Sequence, residues 1–464
     1  MTDFVRRRLL GAGLALSPLS AWAASFGYPR LLQGPMVGEV GPTHLAIWGR
    51  ASGPYTLAVE YSENREFTSP QASTAVSTSE ADDLCAVVRV DGLKPGKRYW
   101  YRMLVDGVVD RYQSVPYETR TAPAGLADFC VAFGSCARIA RDAEQRIFDV
   151  VARESPDLFL WLGDNVYADS ESALAIADEY QRQRNVSRLR AVARSVPQLA
   201  IWDDHDFGYN NSDGTSPIKA QALAVFRRYW ANPAYGLPGT PGVFFDYSYG
   251  GVDFFFLDGR YHRSPNASPD GQAKTMLGDA QLEWLQQRLL ASRAPFKVLV
   301  SGSGWSMADG LQGDTWAAFR RERDGLFEFI REREIGGVVL LSGDSHVGEL
   351  NCIPWSEHGG YDLYDLVSSP LAQSPGEGWY EQSPEIRMRK VYAGGPNVGL
   401  LHFSAGPDPV LRFDLYDERG LRPWQTLTLR PHELQNGVSS WRDKIDPVEL
   451  ERRARQAAPP AASS

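Results

Sequence analysis

The chain has 464 residues, of which 43% are hydrophobic and 23% are charged, and its formal net charge is −9 at pH 7. This length allows two or three domains with a large core, and the composition is that of an ordinary globular protein. The acidic balance contains no basic stripe, which excludes the usual electrostatic surface for nucleic acid. A binding site for an anion must therefore be built locally.

Residues 1–23 are predicted to be an export signal. Arg6 to Arg8 precede an apolar stretch from Leu9 to Leu19, and Ala21-Trp22-Ala23 fits a small-x-small cleavage site. The arginine pair followed by two leucines resembles a twin-arginine signal, so we expect recognition by the twin-arginine export machinery and a periplasmic or secreted protein. A membrane anchor is the alternative, but the apolar stretch is short for a bilayer. No other segment has about 18 unbroken apolar residues, so no membrane span is expected after cleavage.

Residues 26–121 are predicted to form a small all-β domain. Short runs such as "HLAIWGRASG", "YTLAVEYS" and "LCAVVRVDGL" are rich in β-branched and aromatic residues and are separated by turn formers. The stretch "DGLKPGKRYWYRM" resembles the turn and following strand of fibronectin type III-like modules. We expect the linker to the next domain at residues 119–127.

Residues 128–443 are predicted to form an α/β domain. Nearly continuous apolar runs such as "DLFLWL", "VDFFFL" and "GVVLL" are typical of strands buried on both faces. They alternate with amphipathic segments of helical length, including one long pattern over residues 171–196. Residues 444–464 are predicted to form a C-terminal helix and a disordered tail.

Polar side chains follow the predicted strands of this second domain. Strand ends run into "GSCAR", "GDNVYAD", "DDHDFGYNN", "DGRYHR", "SGSGW" and "SGDSHVGEL". Ligands of α/β folds lie beyond the carboxyl ends of strands, so these loops are expected to converge on one pocket. Gathered carboxylates repel each other, and a bound cation is the natural compensation. The cysteine, tyrosine and histidines among them suit transition metals, and two metals sharing a carboxylate would clamp a phosphoryl group and generate a hydroxide.

The ordered succession "FGSC", "GDNVY", "WDDHDFGYNN", "DGRYHR" and "SGDSHVGE" resembles the PhoD-like alkaline phosphatases, a branch of the calcineurin-like metallophosphoesterases. This resemblance covers nearly the whole chain after the signal. It implies a β-sandwich with flanking helices behind the fibronectin III-like domain. It also implies a hydrolase whose substrate is a phosphate ester, either a monoester or, as an alternative, a diester or phospholipid.

The same resemblance implies a set of metal ligands. Asp164 would bridge two metal positions, and a thiolate and a tyrosinate together imply iron(III). Carboxylates replace neutral ligands of the wider superfamily, which favours calcium beside the iron, with zinc or manganese as alternatives. The implied ligands are Cys136, Asp164, Tyr167, Asp204, Asp344 and His346.

Three further residues are candidates for catalysis. His205 is expected to stabilise charge on the phosphate or to protonate the leaving oxygen, with Asp206 or a neighbour fixing its orientation. Arg260 is expected either to pair with the phosphate or to form a salt bridge with Asp258. Arg138 and Arg141 are interpreted as surface charges.

The sequence also leaves alternatives for the loop at residues 301–316 and for the class of protein. The four cysteines are expected to form no structural disulfide, and residues 301–316 form either a mobile lid or a structural loop. A non-catalytic surface-binding protein with a structural metal centre is the alternative to an enzyme. A purple acid phosphatase is disfavoured because its Gly-Asn-His-Glu and Gly-His-x-His forms are absent.

Overall fold

The computed structural model describes residues 28–110, 115–306, 313–376 and 387–457. The predicted export signal, the end of the predicted tail at 458–464, and residues 307–312 of the predicted lid lie outside these ranges. Within them, no helix combines the length and apolar character needed to cross a membrane.

The amino-terminal part consists of antiparallel strands, which confirms the predicted all-β region. The first sheet has the order β1-β2-β6, and the second has the order β4-β3-β7-β8, with β5 paired to β3 and β9 paired to β7. The strands are β1 (Leu31–Gly41), β2 (His44–Ala51), β3 (Thr56–Ser62), β4 (Gln71–Ala72), β5 (Val76–Ser77), β6 (Cys85–Asp91), β7 (Arg98–Val105), β8 (Val108–Val109) and β9 (Tyr117–Arg120).

Strand β7 shows why this part folds as layers. Tyr99, Tyr101, Met103 and Val105 are buried, while the residues between them are partly exposed. Alternation with a period of two places one face of the strand in the core. The predicted linker begins two residues too early, because Thr119 and Arg120 pair with β7 as part of β9.

The second part contains two mixed six-stranded sheets, one with the order β12-β11-β10-β19-β20-β21 and the other with the order β13-β14-β15-β16-β18-β17. Parallel pairing runs through β10, β11 and β12 and through β14, β15, β16 and β18. The strands are β10 (Phe129–Gly134), β11 (Leu158–Leu162), β12 (Gln198–Ile201), β13 (Phe245–Tyr249), β14 (Val252–Phe256), β15 (Lys297–Val300), β16 (Val338–Ser342), β17 (Glu349–Ile353), β18 (Leu363–Val367), β19 (Asn397–Ser404), β20 (Val410–Asp417) and β21 (Gln425–Leu429).

The two sheets meet through aromatic side chains. The ring of Phe403 on β19 packs edge-on against Phe254 on β14, with ring centroids 6.1 Å apart. All five residues of β11, "LFLWL", are buried. Such continuous burial requires covered faces on both sides, as the apolar runs predicted.

Helices connect the strands of this α/β part. The long helical pattern predicted over residues 171–196 is divided in the structure, with a break after Gln183. The α-helices are α1 (Ile147–Glu154), α2 (Ala173–Gln183), α3 (Ser187–Ala193), α4 (Asp204–Phe207), α5 (Lys219–Tyr229), α6 (Asp279–Ala291), α7 (Arg320–Glu332) and α8 (Pro447–Ala457). Short 3₁₀ helices span Glu80–Asp82, Trp316–Phe319, Trp355–His358, Pro431–Glu433 and Arg442–Lys444.

The amino-terminal sheets pack directly on α2 and α5. Trp48 of β2 is fully buried, and its Nε1 donates to the backbone oxygen of Arg228 at 2.7 Å. At the break after α2, the Arg184 guanidinium lies 4.2 Å from the ring centroid of Trp230 and 5.6 Å from that of Trp48. Trp48 therefore joins the two parts of the chain.

We expect Trp48→Ala to lower the free energy of unfolding by about 3–5 kcal/mol, because it removes a large buried ring and leaves a cavity. Val87, which pairs with Trp48 across the sheet and is 37% exposed, provides the matched control. Val87→Ala should cost less than about 1 kcal/mol. The midpoints of thermal unfolding measure both effects, and equal midpoints for the two variants would contradict the role given to Trp48.

Candidate metal centre

The loops that follow β10, β11 and β16 bring the predicted ligands together in strained backbone conformations. Cys136, Asp164, Asp344 and His346 have φ values of 60°, 50°, 64° and 55°. Non-glycine residues rarely adopt this left-handed region, and its cost is tolerated mainly where function requires it. Gly163 also has a positive φ, and a Cβ there would lie only 2.5 Å from the Cβ of Asp203. The chain therefore turns sharply at each of these points.

A first group of donors consists of Cys136, Asp164 and His346. Their potential ligand atoms all lie within 4.8 Å of one another. The Cys136 Sγ is 3.4 Å from Asp164 Oδ2, and the Tyr167 hydroxyl is 3.1 Å from the same oxygen. The Tyr167 hydroxyl also lies 3.2 Å from His346 Nε2. Sulfur, oxygen and nitrogen thus converge on one point.

A second group consists of Asp164, Asp204 and His205, again with ligand atoms within 4.8 Å of one another. The backbone N–H of His205 lies 3.3 Å from Asp164 Oδ1 and 3.0 Å from Asp204 Oδ1. The backbone N–H of Asn211 donates to Asp204 Oδ2 at 2.6 Å. Asp164 belongs to both groups, as the predicted bridging role requires.

Asp344 lies beside these groups and outside both of them. Its backbone N–H donates to Ser135 Oγ at 3.1 Å. Its side chain lines a cavity of about 250 Å³ together with His346 and Asn211. The structure thus brings Asp344 to the same pocket without placing its carboxylate among the clustered donors.

The electrostatics of the pocket favour a bound cation. Burial, and then the neighbouring acidic groups, raise the pKa values of Asp164 and Asp344 well above the usual range. Burial raises the pKa of the Cys136 thiol to about 12, and Asp344 adds to the effect. Such groups are costly to ionise together unless a positive charge compensates them. A donor set of sulfur, imidazole nitrogen and carboxylate oxygen fits metal ions, with Asp164 shared between two of them.

Arg260 occupies a different position from the one predicted. Its side chain is fully buried, and its Nε lies 2.5 Å from Asp203 Oδ1. Its Nη2 lies 2.5 Å from Asp314 Oδ2 and 3.9 Å from Asp204 Oδ1. Asp258, the expected salt-bridge partner, accepts the Arg260 backbone N–H instead, at 2.9 Å. The expected salt bridge with Asp258 is thus replaced by ion pairs with Asp203 and Asp314, by which Arg260 positions these aspartates, and its contact with phosphate stays a prediction.

The effect of Arg260 differs between the two neighbouring aspartates. Burial raises the pKa of Asp203 to about 6 in spite of the salt bridge. Burial also acts to raise the pKa of Asp204, but Arg260 and His205 outweigh it and lower that pKa to about 2. Asp204 is thus held as a carboxylate within the second donor group.

Asp206 does not orient the His205 imidazole. Its Oδ1 accepts the Tyr180 hydroxyl at 2.8 Å, and its Oδ2 accepts the Asn165 backbone N–H at 3.1 Å and that of Asp203 at 3.2 Å. Burial raises the pKa of Asp206 to about 7. Its assignment as a catalytic residue is therefore corrected, since it ties the loop after β11 to the start of α4.

The carboxylate beside His205 belongs to Asp169. Its Oδ1 lies 2.5 Å from His205 Nδ1, and the His205 ring packs against Tyr167 with ring centroids 4.1 Å apart and the ring planes tilted by 32°. Among the described residues, none forms a hydrogen bond with His205 Nε2, which leaves this nitrogen available to a ligand. The sequence contained a signal for this residue, because Asp169 ends the motif "GDNVYAD".

The described ends of the segment 301–316 are packed against the core. The rings of Trp305 and Trp316 stack with centroids 4.5 Å apart. Trp316 Nε1 donates to Ser301 Oγ at 3.1 Å, and Asp314 forms the ion pair with Arg260. These ends are therefore structural, whereas the remainder of the predicted lid lies outside the described residues.

We expect Cys136→Ser to lower the amount of metal that copurifies with the protein, because a hydroxyl is a weaker ligand than a thiolate. Cys130→Ser is the matched control, since Cys130 lies on β10, the strand that leads to Cys136, but outside both donor groups. Elemental analysis of the purified proteins measures the metal content. Equal content in wild type and Cys136→Ser would remove Cys136 from the ligand set.

Comparison with known proteins identifies relatives of both parts. Residues 130–393 match the PhoD-like phosphatase family, and residues 17–123 match the N-terminal domain of PhoD-like phosphatases. Alkaline phosphatase D of Bacillus subtilis strain 168 is 27% identical over 312 residues, which cover 56% of this chain and 52% of that protein. The chain thus matches about half the length of this curated relative.

Two solved structures show the same fold. The structure of PhoD superposes with a TM-score of 0.71 at 19% identity, covering 90% of this chain and 95% of the other. Purple acid phosphatase PPD1 from yellow lupin seeds superposes with a TM-score of 0.62 at 12% identity, covering 94% and 78%. The fold is therefore that of the metallophosphoesterases with an all-β region in front. Because the main family model spans more than half of its length, the chain belongs to the PhoD-like phosphatase family.

Proposed function

We propose that this protein is a metal-dependent phosphoesterase that hydrolyses phosphate monoesters. The observation that carries this proposal is the pair of buried donor groups that share Asp164. Membership of the PhoD-like phosphatase family supports it. A purely structural metal would need a closed ligand set, whereas Asp344 and His346 line a cavity beside the donors. In the part of the chain that the structure describes, no residue forms a hydrogen bond with His205 Nε2.

Iron(III) and calcium are the proposed metals. Cys136 and Tyr167 bring a thiol and a phenol to the first group, and these are donors that suit iron(III). The second group is richer in carboxylate oxygen, which suits calcium, with zinc or manganese as alternatives. Cations held there would supply positive charge to the phosphoryl oxygens and activate water for attack.

His205 is the proposed proton donor to the leaving group. Hydrolysis breaks the bond between phosphorus and the ester oxygen, and the departing alkoxide needs a proton. Asp169 holds Nδ1, so the proton on Nε2 of an imidazolium can pass to that oxygen, after which the alcohol leaves. Packing of the imidazole against the Tyr167 ring limits its rotation. The buried Arg260 lowers the pKa of Asp204 and so keeps this ligand ionised.

The proposed place of action is the periplasm or the exterior of the cell. The twin-arginine-like start of the chain supports this location. Export of the folded protein would also allow metals to be bound before transport. Cell fractionation of a wild-type strain tests this proposal, and a cytoplasmic protein with an uncleaved amino terminus would contradict it.

We expect Asp164→Asn and His205→Ala each to reduce turnover of p-nitrophenyl phosphate by at least about 100-fold, the scale of losing a key stabilising group. His432 is exposed and distant in sequence from the site, so His432→Ala should keep wild-type turnover. The assay uses protein purified with its native metals and with added calcium. Wild-type turnover in either site variant would refute the roles assigned here.

The same assay with bis(p-nitrophenyl) phosphate separates the substrate classes. Faster cleavage of the monoester supports the proposal, and faster cleavage of the diester would redirect it to phosphodiesters such as nucleotides or lipids. If neither ester is cleaved by fully metallated protein, the proposal fails in favour of a binding protein.

Asp169→Asn and Asp206→Asn should have different consequences. The Asp169 side chain is 36% exposed, so its replacement should lower turnover without lowering the thermal unfolding midpoint. Asp206 is buried and accepts several hydrogen bonds, so its replacement should lower the unfolding midpoint. The reverse pattern would contradict a structural role for Asp206 and the contact of Asp169 with His205.

A further inference from the structure

Arg138 lies at the edge of the metal centre, two residues after Cys136. Its side chain is 42% exposed, and its Nη2 lies 3.9 Å from Asp169 Oδ2. The guanidinium carbon is 5.2 Å from the centroid of the Tyr167 ring. Its backbone N–H donates to Ala372 at 3.0 Å, which fixes the start of the side chain. The sequence interpretation of Arg138 as an ordinary surface charge therefore misses contacts with two residues of the site.

Arg138 differs from the other arginines near the metal centre in how its charge is paired. The two other arginines near the aspartates, Arg260 and Arg263, are fully buried and are both paired with Asp314. Their positive charges are neutralised inside the protein by this aspartate. Arg138 is 42% exposed, so its guanidinium can bind a phosphate ester at the edge of the centre without breaking a buried ion pair.

The ion pair between Arg138 and Asp169 is weak, so a phosphate group can replace it. At 3.9 Å it is at the outer limit of an ion pair, and exposed pairs contribute little to stability. A phosphate oxygen offers a guanidinium two parallel hydrogen bonds of charge-assisted strength. Packing against the Tyr167 ring meanwhile limits the rotamers of the arginine, which lowers the entropy lost on binding.

We propose that Arg138 binds a non-bridging oxygen of the substrate phosphate and selects dianionic monoesters over monoanionic diesters. This inference rests on the proposed phosphoesterase function. Above pH 7 a monoester carries nearly two negative charges, because its second ionisation has a pKa of about 6. A diester carries one charge and replaces an oxygen that Arg138 would contact with an ester group. The positive charge of Arg138 therefore acts more strongly on the monoester.

Steady-state kinetics of Arg138→Ala on p-nitrophenyl phosphate and bis(p-nitrophenyl) phosphate test this inference. We expect the KM for the monoester and the inhibition constant of inorganic phosphate to rise by about tenfold, the scale of one hydrogen bond to a charged group. The kcat/KM for the diester should change by less than about threefold. Arg138→Lys should recover part of the loss, since it restores the charge but not the bidentate geometry.

Arg141→Ala is the matched control. Arg141 is exposed and lies three residues further along the same loop, and its backbone N–H donates to the Arg138 carbonyl at 2.9 Å. It removes the same charge without reaching the site, so all three constants should keep their wild-type values. Elemental analysis should give the same metal content for both arginine variants as for wild type, which separates substrate binding from metal loss.

The outcomes distinguish the inference from the function on which it rests. If wild type cleaves the monoester and Arg138→Ala leaves KM and phosphate inhibition unchanged, the inference is overturned while the function stands. A lower kcat with a shifted pH profile and an unchanged KM would overturn it as well, because Arg138 would then act through Asp169 and His205. If wild type cleaves neither ester, calorimetric titration with inorganic phosphate decides: weaker binding by Arg138→Ala supports the inference, and equal binding overturns it.

Discussion

The carboxylate of Asp164 lies between two donor groups, and burying it together with a thiol, a phenol and further carboxylates is the constraint that shapes the site. The loops around it accept left-handed backbone at non-glycine residues and very close approach at Gly163. These costs are compensated when cations neutralise the acidic groups. Metal binding and the folding of these loops are therefore expected to be coupled.

The amino-terminal sheets contribute to this site through packing. The Arg184 guanidinium, at the end of α2, lies close to the rings of both Trp48 and Trp230. Tyr180 on α2 stacks on Tyr229 and donates to Asp206, which in turn holds the loop after β11. A continuous set of buried contacts thus connects the first β-sheet with the backbone that presents Asp164, so the all-β part supports the geometry of the α/β part.

The sequence was sufficient to predict which loops carry the metal-site donors, because short apolar strands followed by acidic loops can be recognised locally. Cys136, Asp164, Asp204 and His346 were all brought to one place. The roles of Asp206 and Arg260 could not be predicted in this way. The first turn of α4 directs Asp206 away from the imidazole, and the pairing of Arg260 with Asp314 joins residues 54 positions apart. The order of strands in the sheets could not be predicted either, because β19 pairs with β10 although more than half of the domain's sequence separates them.

Anomalous X-ray diffraction from crystals of the protein purified with its native metals would show whether two metals share the Asp164 carboxylate. We expect two metal peaks on either side of this carboxylate, one bonded to Cys136 and the other to Asp204. The element at each peak follows from data collected on both sides of its absorption edge. A single peak, or peaks that leave Asp164 without a metal bond, would contradict a centre built on a shared carboxylate.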